Sequence, residues 1–183
     1  MTITQTKLSG CFILQPNVIK DERGYFFESY NKSKFDALAG LDVDFLQDNQ
    51  SFSGKGVLRG LHYQTGDAAQ AKLVRVISGA VLDVAVDIRR SSPTFGQHIA
   101  VELNEDNMTQ LFVPRGFAHG FVVLKDNTLF SYKCDNLYSK DHERGIMYND
   151  THLNIDWILP KNELIISAKD KELPNFISAE IFE

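Results

Sequence analysis

The chain has little cysteine, no long apolar run and no excess of positive charge. Cys11 and Cys134 are the only cysteines among 183 residues. They form neither a Cys-x-x-Cys pair nor a disulfide framework, so each reads as a small core residue with a free thiol. No apolar stretch approaches the ~20 residues of a membrane-spanning helix. The N-terminus lacks the basic region and apolar core of a secretory signal, and a cytoplasmic location is expected. The 19 Lys and Arg against 24 Asp and Glu give a formal charge of −5. That argues against a general nucleic-acid binder, which carries a basic surface, while leaving room for a local basic pocket. No repeat, low-complexity tract or linker divides the sequence, so one domain over residues 1–183 is expected.

What is plentiful is aromatic: 11% of the chain, with 13 Phe. Aromatics favour strands, and the pattern agrees. Residues 31–38 are predicted as a short helix opened by Asn31 or Ser33. Residues 45–52 read as extended, with Gln47, Asn49 and Ser51 on one face by period-2 alternation. Strand 72–78 leads through Gly79 into 80–88, where Leu82, Val84, Val86 and Ile88 share one face and Asp83 and Asp87 the other. Further strands are expected at 98–103 and 110–113. Strands 117–124 and 128–134 flank Lys125-Asp126-Asn127, which reads as a hairpin turn. Trp157 is expected in the core. Short strands at regular spacing indicate an all-β barrel or jelly roll whose mouth can hold a ligand.

The segment Val57-Leu-Arg-Gly-Leu-His-Tyr-Gln64, followed by Lys72, carries most of the chemistry. It offers a potential base (His62), a potential oxyanion partner (Lys72) and a potential phosphate ligand (Arg59). Polar groups beside strand core suggest a lined cavity, because burying them unpaired costs free energy. Imidazole titrates near neutrality, so His62 suits general-base catalysis, and a carboxylate on its second nitrogen would fix the tautomer. Asp170 and Asp83 are both candidates for that carboxylate, and spacing does not choose between them.

Each of the other candidates has a plain structural reading beside the functional one. Lys72 reads either as a solvated edge residue or as the stabiliser of a developing enolate. Tyr132 is a strand aromatic or a proton donor. Tyr138 covers a rim or stacks on a planar ring. Arg23 and Glu28 form a surface ion pair, or Arg23 binds phosphate. Gln47 and Asn49 pair with backbone or read a nucleobase or phosphate.

Pro114-Arg-Gly-Phe-Ala-His119 fits the Pro-x-Gly-x-x-His turn of cupin barrels. The first metal motif of such barrels begins His-x-His, and here Gln64 stands where the second histidine would be. His62 and His119 alone are too few for a convincing transition-metal site. A site without metal or other cofactor is therefore expected.

Taken together, these segments resemble the dTDP-4-dehydrorhamnose 3,5-epimerase family. The resemblance runs nearly end to end. It includes Asp21-Glu-Arg-Gly-Tyr-Phe-Phe-Glu28, Gln47-Asp-Asn-Gln-Ser51, Gly56 to Gln64, Ala71-Lys-Leu-Val-Arg-Val76, Asp83 to Arg89, Ser92 to Gly96, Pro114 to Phe121, Tyr132-Lys-Cys134 and Asn149-Asp150. It implies a cupin-type double-sheet jelly-roll barrel with a few short helices, acting as a homodimer. It implies an isomerase that converts dTDP-4-dehydro-6-deoxy-D-glucose to dTDP-4-dehydro-L-rhamnose. By the same resemblance His62 is the proton acceptor, oriented by Asp170, and Tyr132 the proton donor. Lys72 faces the C4 oxygen, and Arg23 and Arg59 hold the diphosphate. Glu28, Gln47, Asn49 and Tyr138 address the thymidine end, with Tyr138 stacked on thymine. His119, Glu143 and Lys169 match further ligand contacts. The N-terminal segment reaches the partner subunit, so Arg23 and Glu28 are expected to serve the neighbouring site.

Other readings make distinct predictions. A 3-only or 5-only epimerase would share the scaffold and the His/Tyr pair. A sugar-nucleotide ketoisomerase would need a different base arrangement. A metal-dependent cupin oxygenase would need the histidine that Gln64 replaces. A non-catalytic sugar-nucleotide binder would have little need for both His62 and Tyr132.

Overall fold

Runs rich in β-branched and aromatic residues become fourteen short strands in the computed structural model, which describes residues 1–183. They are β1 (Thr2–Gln5), β2 (Phe12–Gln15), β3 (Ile19–Asp21), β4 (Gly24–Phe26), β5 (Gln47–Ser53), β6 (Val57–Gln64) and β7 (Lys72–Ser78). Then follow β8 (Ala80–Asp87), β9 (His98–Asn104), β10 (Gln110–Val113), β11 (Phe117–Val123), β12 (Thr128–Cys134), β13 (Glu143–Gly145) and β14 (Ile165–Ile166). One sheet has the order β1-β2-β10-β7-β12-β5 and the other β13-β6-β11-β8-β9, with β14 joined in parallel to β6. Strands β3 and β4 make a separate hairpin. This is the expected cupin-like jelly roll.

Most connections from β5 to β12 cross between the sheets, and this corrects one expectation. Residues 125–127 do not close a hairpin: β11 pairs with β6 and β8, whereas β12 pairs with β5 and β7. The turn, with Asn127 at φ +57°, is an arch from one sheet to the other. Gly79 makes the corresponding crossing from β7 to β8 at φ +88°, where a Cβ would meet Thr128 Oγ1 at 2.2 Å. Turn chemistry marks where the chain reverses but leaves open which strands then pair.

Three apolar clusters follow from this layering. Val74, Val76, Val81, Ala85, Leu111, Phe121 and Phe130 fill the space between the sheets. Leu82, Val84, Val86 and Ile88 point the other way, where Trp157 and Phe176 of the C-terminal segment cover them. Every residue of β8 is therefore buried, including Asp83 and Asp87. The single α-helix, α1 (Lys32–Ala39), sets Phe35 on Phe12 and Phe112 over the outer face of the first sheet. Its N-cap is Asn31, whose Oδ1 accepts from the Lys34 N–H at 3.1 Å, a contribution of about 1 kcal/mol. No helix is long and apolar enough to cross a membrane.

Candidate active site

The inward side of the barrel turns polar at one end. Strand β5 contributes Gln47, Asn49, Ser51 and Ser53 from one face, as its period of two requires. Lys72 precedes the apolar inward residues Val74 and Val76 on β7, and Tyr132 follows Phe130 on β12. Arg59 and His62 both line the cavity although they are three residues apart on β6. Strict alternation would put them on opposite faces. The β6–β11 ladder shifts register between His119 and Phe121, opposite Gly60, and this bulge restores both side chains to the inside. Gly60 has φ +129°, and a Cβ there would lie 2.6 Å from the Gly120 Cα, so the approach of the two backbones demands glycine.

Asn49, Ser51, Arg59, His62, Lys72 and Tyr132 enclose a cavity of about 650 Å³ that Lys169, Asp170 and His119 also line. A neighbouring recess of about 300 Å³ shares Asn49, His62, Lys72 and Tyr132 and adds Gln47, Tyr138 and Glu143. Eleven of the thirteen candidates thus meet at one end of the barrel. Arg23 and Glu28 do not. Arg23 is on the β3–β4 turn, fully exposed and bound to Asp21 at 2.6 Å. Glu28 bonds Asn31 and Lys34 beside helix α1. They are not an ion pair with each other.

The question of the histidine partner has a clear answer. His62 Nε2 lies 2.7 Å from Asp170 Oδ1. Asp83 instead holds His119, whose Nε2 is 2.9 and 3.0 Å from its two oxygens. His62 and His119 face each other in register across β6 and β11, yet each is committed to its own carboxylate. Asp170 also accepts from the Gly60 N–H at 3.3 Å, and its own N–H donates to Ser167 Oγ at 3.1 Å. Burial pushes the Asp170 carboxyl up, but His62, Gly60 and Ser167 together outweigh it and hold the group below the ordinary carboxylate value. The carboxylate is therefore ionised, and it leaves Nδ1 of His62 as the ring nitrogen free for chemistry.

Lys72 is no solvated edge residue, since β7 lies inside the sheet between β10 and β12. Its Nζ makes no ion pair and sits 6.0 Å from the centre of the Tyr132 ring. Burial depresses its pKa, with Cys134, Asp83 and Glu143 pulling the other way. Burial likewise raises the Tyr132 phenol, which Arg59 partly offsets, so the group is a neutral donor at physiological pH. Arg59 itself donates to Ser53 Oγ at 3.2 Å. At the rim, Glu143 Oε2 accepts from the Tyr138 hydroxyl at 3.0 Å and from Lys169 Nζ at 2.6 Å. Lys169 and the Tyr138 hydroxyl hold Glu143 below the ordinary value despite its partial burial, which acts in the opposite sense. No three His, Cys, Asp or Glu side chains converge as a metal-ligand group.

Among the lining residues to which the sequence reading gave no role are two serines. Ser51 was on the polar face of β5, and its Oγ is buried without a hydrogen-bond partner. Ser167 lines the cavity and braces Asp170, and no local pattern marked it. Chemically, the arrangement offers a carboxylate-held imidazole, a neutral phenol, an unpaired ammonium and a guanidinium around one cavity. That set suits proton removal beside a carbonyl, with the resulting oxyanion stabilised.

The family described as dTDP-4-dehydrorhamnose 3,5-epimerase matches residues 5–178. A dTDP-4-dehydrorhamnose 3,5-epimerase of Shigella flexneri is 50% identical over 182 residues, covering 100% of this chain and 99% of that protein. The crystal structure of the Elizabethkingia anophelis NUHP1 enzyme of the same name superposes with a TM-score of 0.94 at 52% identity, covering 97% of each chain. A Legionella pneumophila Philadelphia 1 epimerase, solved in complex with dTDP-4-keto-L-rhamnose, gives a TM-score of 0.93 at 45% identity over 97% of this chain and 93% of that one. With the fold, the cavity and full-length similarity in agreement, the chain belongs to the dTDP-4-dehydrorhamnose 3,5-epimerase family.

Proposed function

We propose that the chain inverts C3 and C5 of dTDP-4-dehydro-6-deoxy-D-glucose to give dTDP-4-dehydro-L-rhamnose, using His62 as base and Tyr132 as acid. The observation that carries this reading is the His62–Asp170 pair facing the same cavity as the neutral Tyr132 phenol and the unpaired Lys72 ammonium.

The C4 ketone acidifies the hydrogens at C3 and C5. His62 Nδ1 removes one, and the electron pair passes to the C4 oxygen as an enolate. The Asp170 carboxylate stabilises the imidazolium that forms, while Lys72 stabilises the enolate oxygen. Tyr132 then gives its proton to the carbon from the opposite face, which inverts the centre. Exchange of one proton from His62 and one to Tyr132 with solvent resets the pair for the second carbon. Electrons neither enter nor leave, so the route calls for no redox cofactor.

Arg59, with Arg23 from a partner, holds the diphosphate. Gln47, Asn49 and the partner's Glu28 equivalent address the thymidine end, Tyr138 stacks on the base, and His119, Glu143 and Lys169 complete the contacts. A homodimer is supported by the β3–β4 hairpin, whose Ile19, Tyr25 and Phe26 are each more than half exposed. Ile19 and Phe26 pair directly across the hairpin, and exposed apolar surface of that kind marks an interaction site. A cytoplasmic setting is supported by the two free, buried thiols.

Variants assayed on dTDP-4-dehydro-6-deoxyglucose test the assignment. His62→Ala is expected to abolish conversion at both carbons. Tyr132→Phe is expected to allow proton loss but to impair inversion by about 10²–10⁴-fold, the usual worth of a positioned acid or base. Normal turnover in either variant removes that residue from its role.

A further inference from the structure

The polar face of β5 carries a hydrogen-bonded ladder whose far end the proposed chemistry does not use. The Tyr138 backbone N–H donates to Gln47 Oε1 at 2.9 Å. Gln47 Nε2 donates to Asn49 Oδ1 at 3.0 Å. Asn49 Nδ2 donates to Cys134 Sγ at 3.6 Å. Cys134 is fully buried and stands in register with Gln47 on one side and Lys72 on the other. An amide side chain can turn over, exchanging donor for acceptor. A backbone N–H cannot, so the first rung forces Gln47 to show its oxygen to Tyr138. Every amide below is then locked in one orientation, and the sulfur is the atom that must accept last.

We propose that Cys134 is a positioning residue: its sulfur is the terminal acceptor that completes the ladder and holds the Asn49 amide in the orientation that Tyr138 and Gln47 set, so that the cavity shows one donor–acceptor pattern to the nucleoside end of the substrate. This rests on the assignment of Gln47 and Asn49 to the thymidine end made above. Cys134 itself does not touch substrate. Asn49 lines both the main cavity and the neighbouring recess, so a turned Asn49 amide changes the surface that the ligand meets. A packing role would depend on side-chain volume alone, whereas this role depends on the presence of an acceptor atom.

Cys134→Ser keeps an acceptor at nearly the same size, and Cys134→Val fills the space without one. The measurements are KM and kcat for dTDP-4-dehydro-6-deoxyglucose, the Kd of dTDP, and the NMR signals of the Asn49 side-chain NH2 in the full chain. Cys134→Val should raise KM and the dTDP Kd by ~2–10-fold, the worth of one net hydrogen bond. It should leave kcat within about twofold, because an interaction equal in ground and transition states changes KM alone. The Asn49 signals should move in Cys134→Val and return in Cys134→Ser. Unmoved signals with unchanged KM in Cys134→Val overturn the proposal, as does a KM that rises equally in both variants. Asn49→Ala separates the two layers of the reading. If it weakens dTDP binding while Cys134→Val does not, only the role of Cys134 falls. If it leaves dTDP binding unchanged, the nucleoside assignment falls and takes this proposal with it.

Discussion

Two carboxylates of the same type hold two histidines of the same site, and their surroundings give them different work. Asp170 opens a short 3-10 turn against the cavity and grips the histidine that keeps a free nitrogen. Asp83 lies in the middle of β8, wholly buried, and holds His119 with both oxygens. Asp170→Asn should therefore fold normally and still lose about 10²–10⁴-fold in kcat. The amide would donate to His62 Nε2, move the ring proton to Nδ1 and so occupy the nitrogen that acts as base. A loss of less than tenfold in steady-state turnover would show that the pairing is not used. Lys72 supplies a pH dependence. Burial lowers its pKa, so its charge is lost, as pH rises, before that of an ordinary lysine at about 10.4. The alkaline limb of kcat is expected below that value, and Lys72→Arg should shift it upward, since guanidinium keeps its proton. An identical alkaline limb in a pH–rate profile of the variant would assign it to another group. At this scale much was legible: His62, Lys72 and Arg59 stood out as polar groups beside strand core, whereas Tyr132 read equally well as an ordinary strand aromatic until the family resemblance singled it out. The partner of His62 was not legible, because it lies more than a hundred residues away in a short 3-10 turn and only folding chooses between two aspartates.

Strands were legible wherever their pattern was local. Residues 72–78, 110–113 and 128–134 form strands with the expected limits, and the first helix begins after Asn31 as its cap predicts. Pairing was not legible, because a turn of three residues serves a hairpin and an inter-sheet arch equally well. The bulge at Gly60 was hidden too, since strict alternation separates Arg59 from His62. Two substitutions test these local arguments. Gly79→Ala places a methyl 2.8 Å from the Thr128 Cα in a left-handed conformation. Strain and overpacking together should cost about 2–5 kcal/mol, read as a loss of denaturant midpoint. Ile158, a β-branched residue at φ +55° with more than half its surface exposed, pays the opposite kind of penalty. Ile158→Asn should stabilise by about 1 kcal/mol, or ~2–4 °C in Tm for a chain of this size. An unchanged Tm would mean that the surrounding loop absorbs the strain.

At the scale of the whole molecule, one chain brings together every proposed site residue except Arg23 and Glu28. Their separation from the cavity accords with a dimer in which each hairpin serves the other subunit. A complementation experiment checks this. Mixed and refolded together, His62→Ala and Arg23→Ala chains should recover activity that neither has alone, because one site of each hybrid combines an intact His62 with an intact Arg23. No recovery from a demonstrated hybrid would place Arg23 in its own chain's site or outside both. Nothing in one sequence reports such an exchange directly, since periodicity describes only how a chain packs on itself.

In the proposed reaction one cavity removes and returns protons at two carbons flanking a ketone. This is tested most directly by running the reaction on dTDP-4-dehydro-6-deoxyglucose in heavy water and reading the sugar by NMR. Deuterium and inversion at both C3 and C5, both lost in His62→Ala, are the predicted result. Label at one carbon only, or bound substrate that takes up no label, would contradict it.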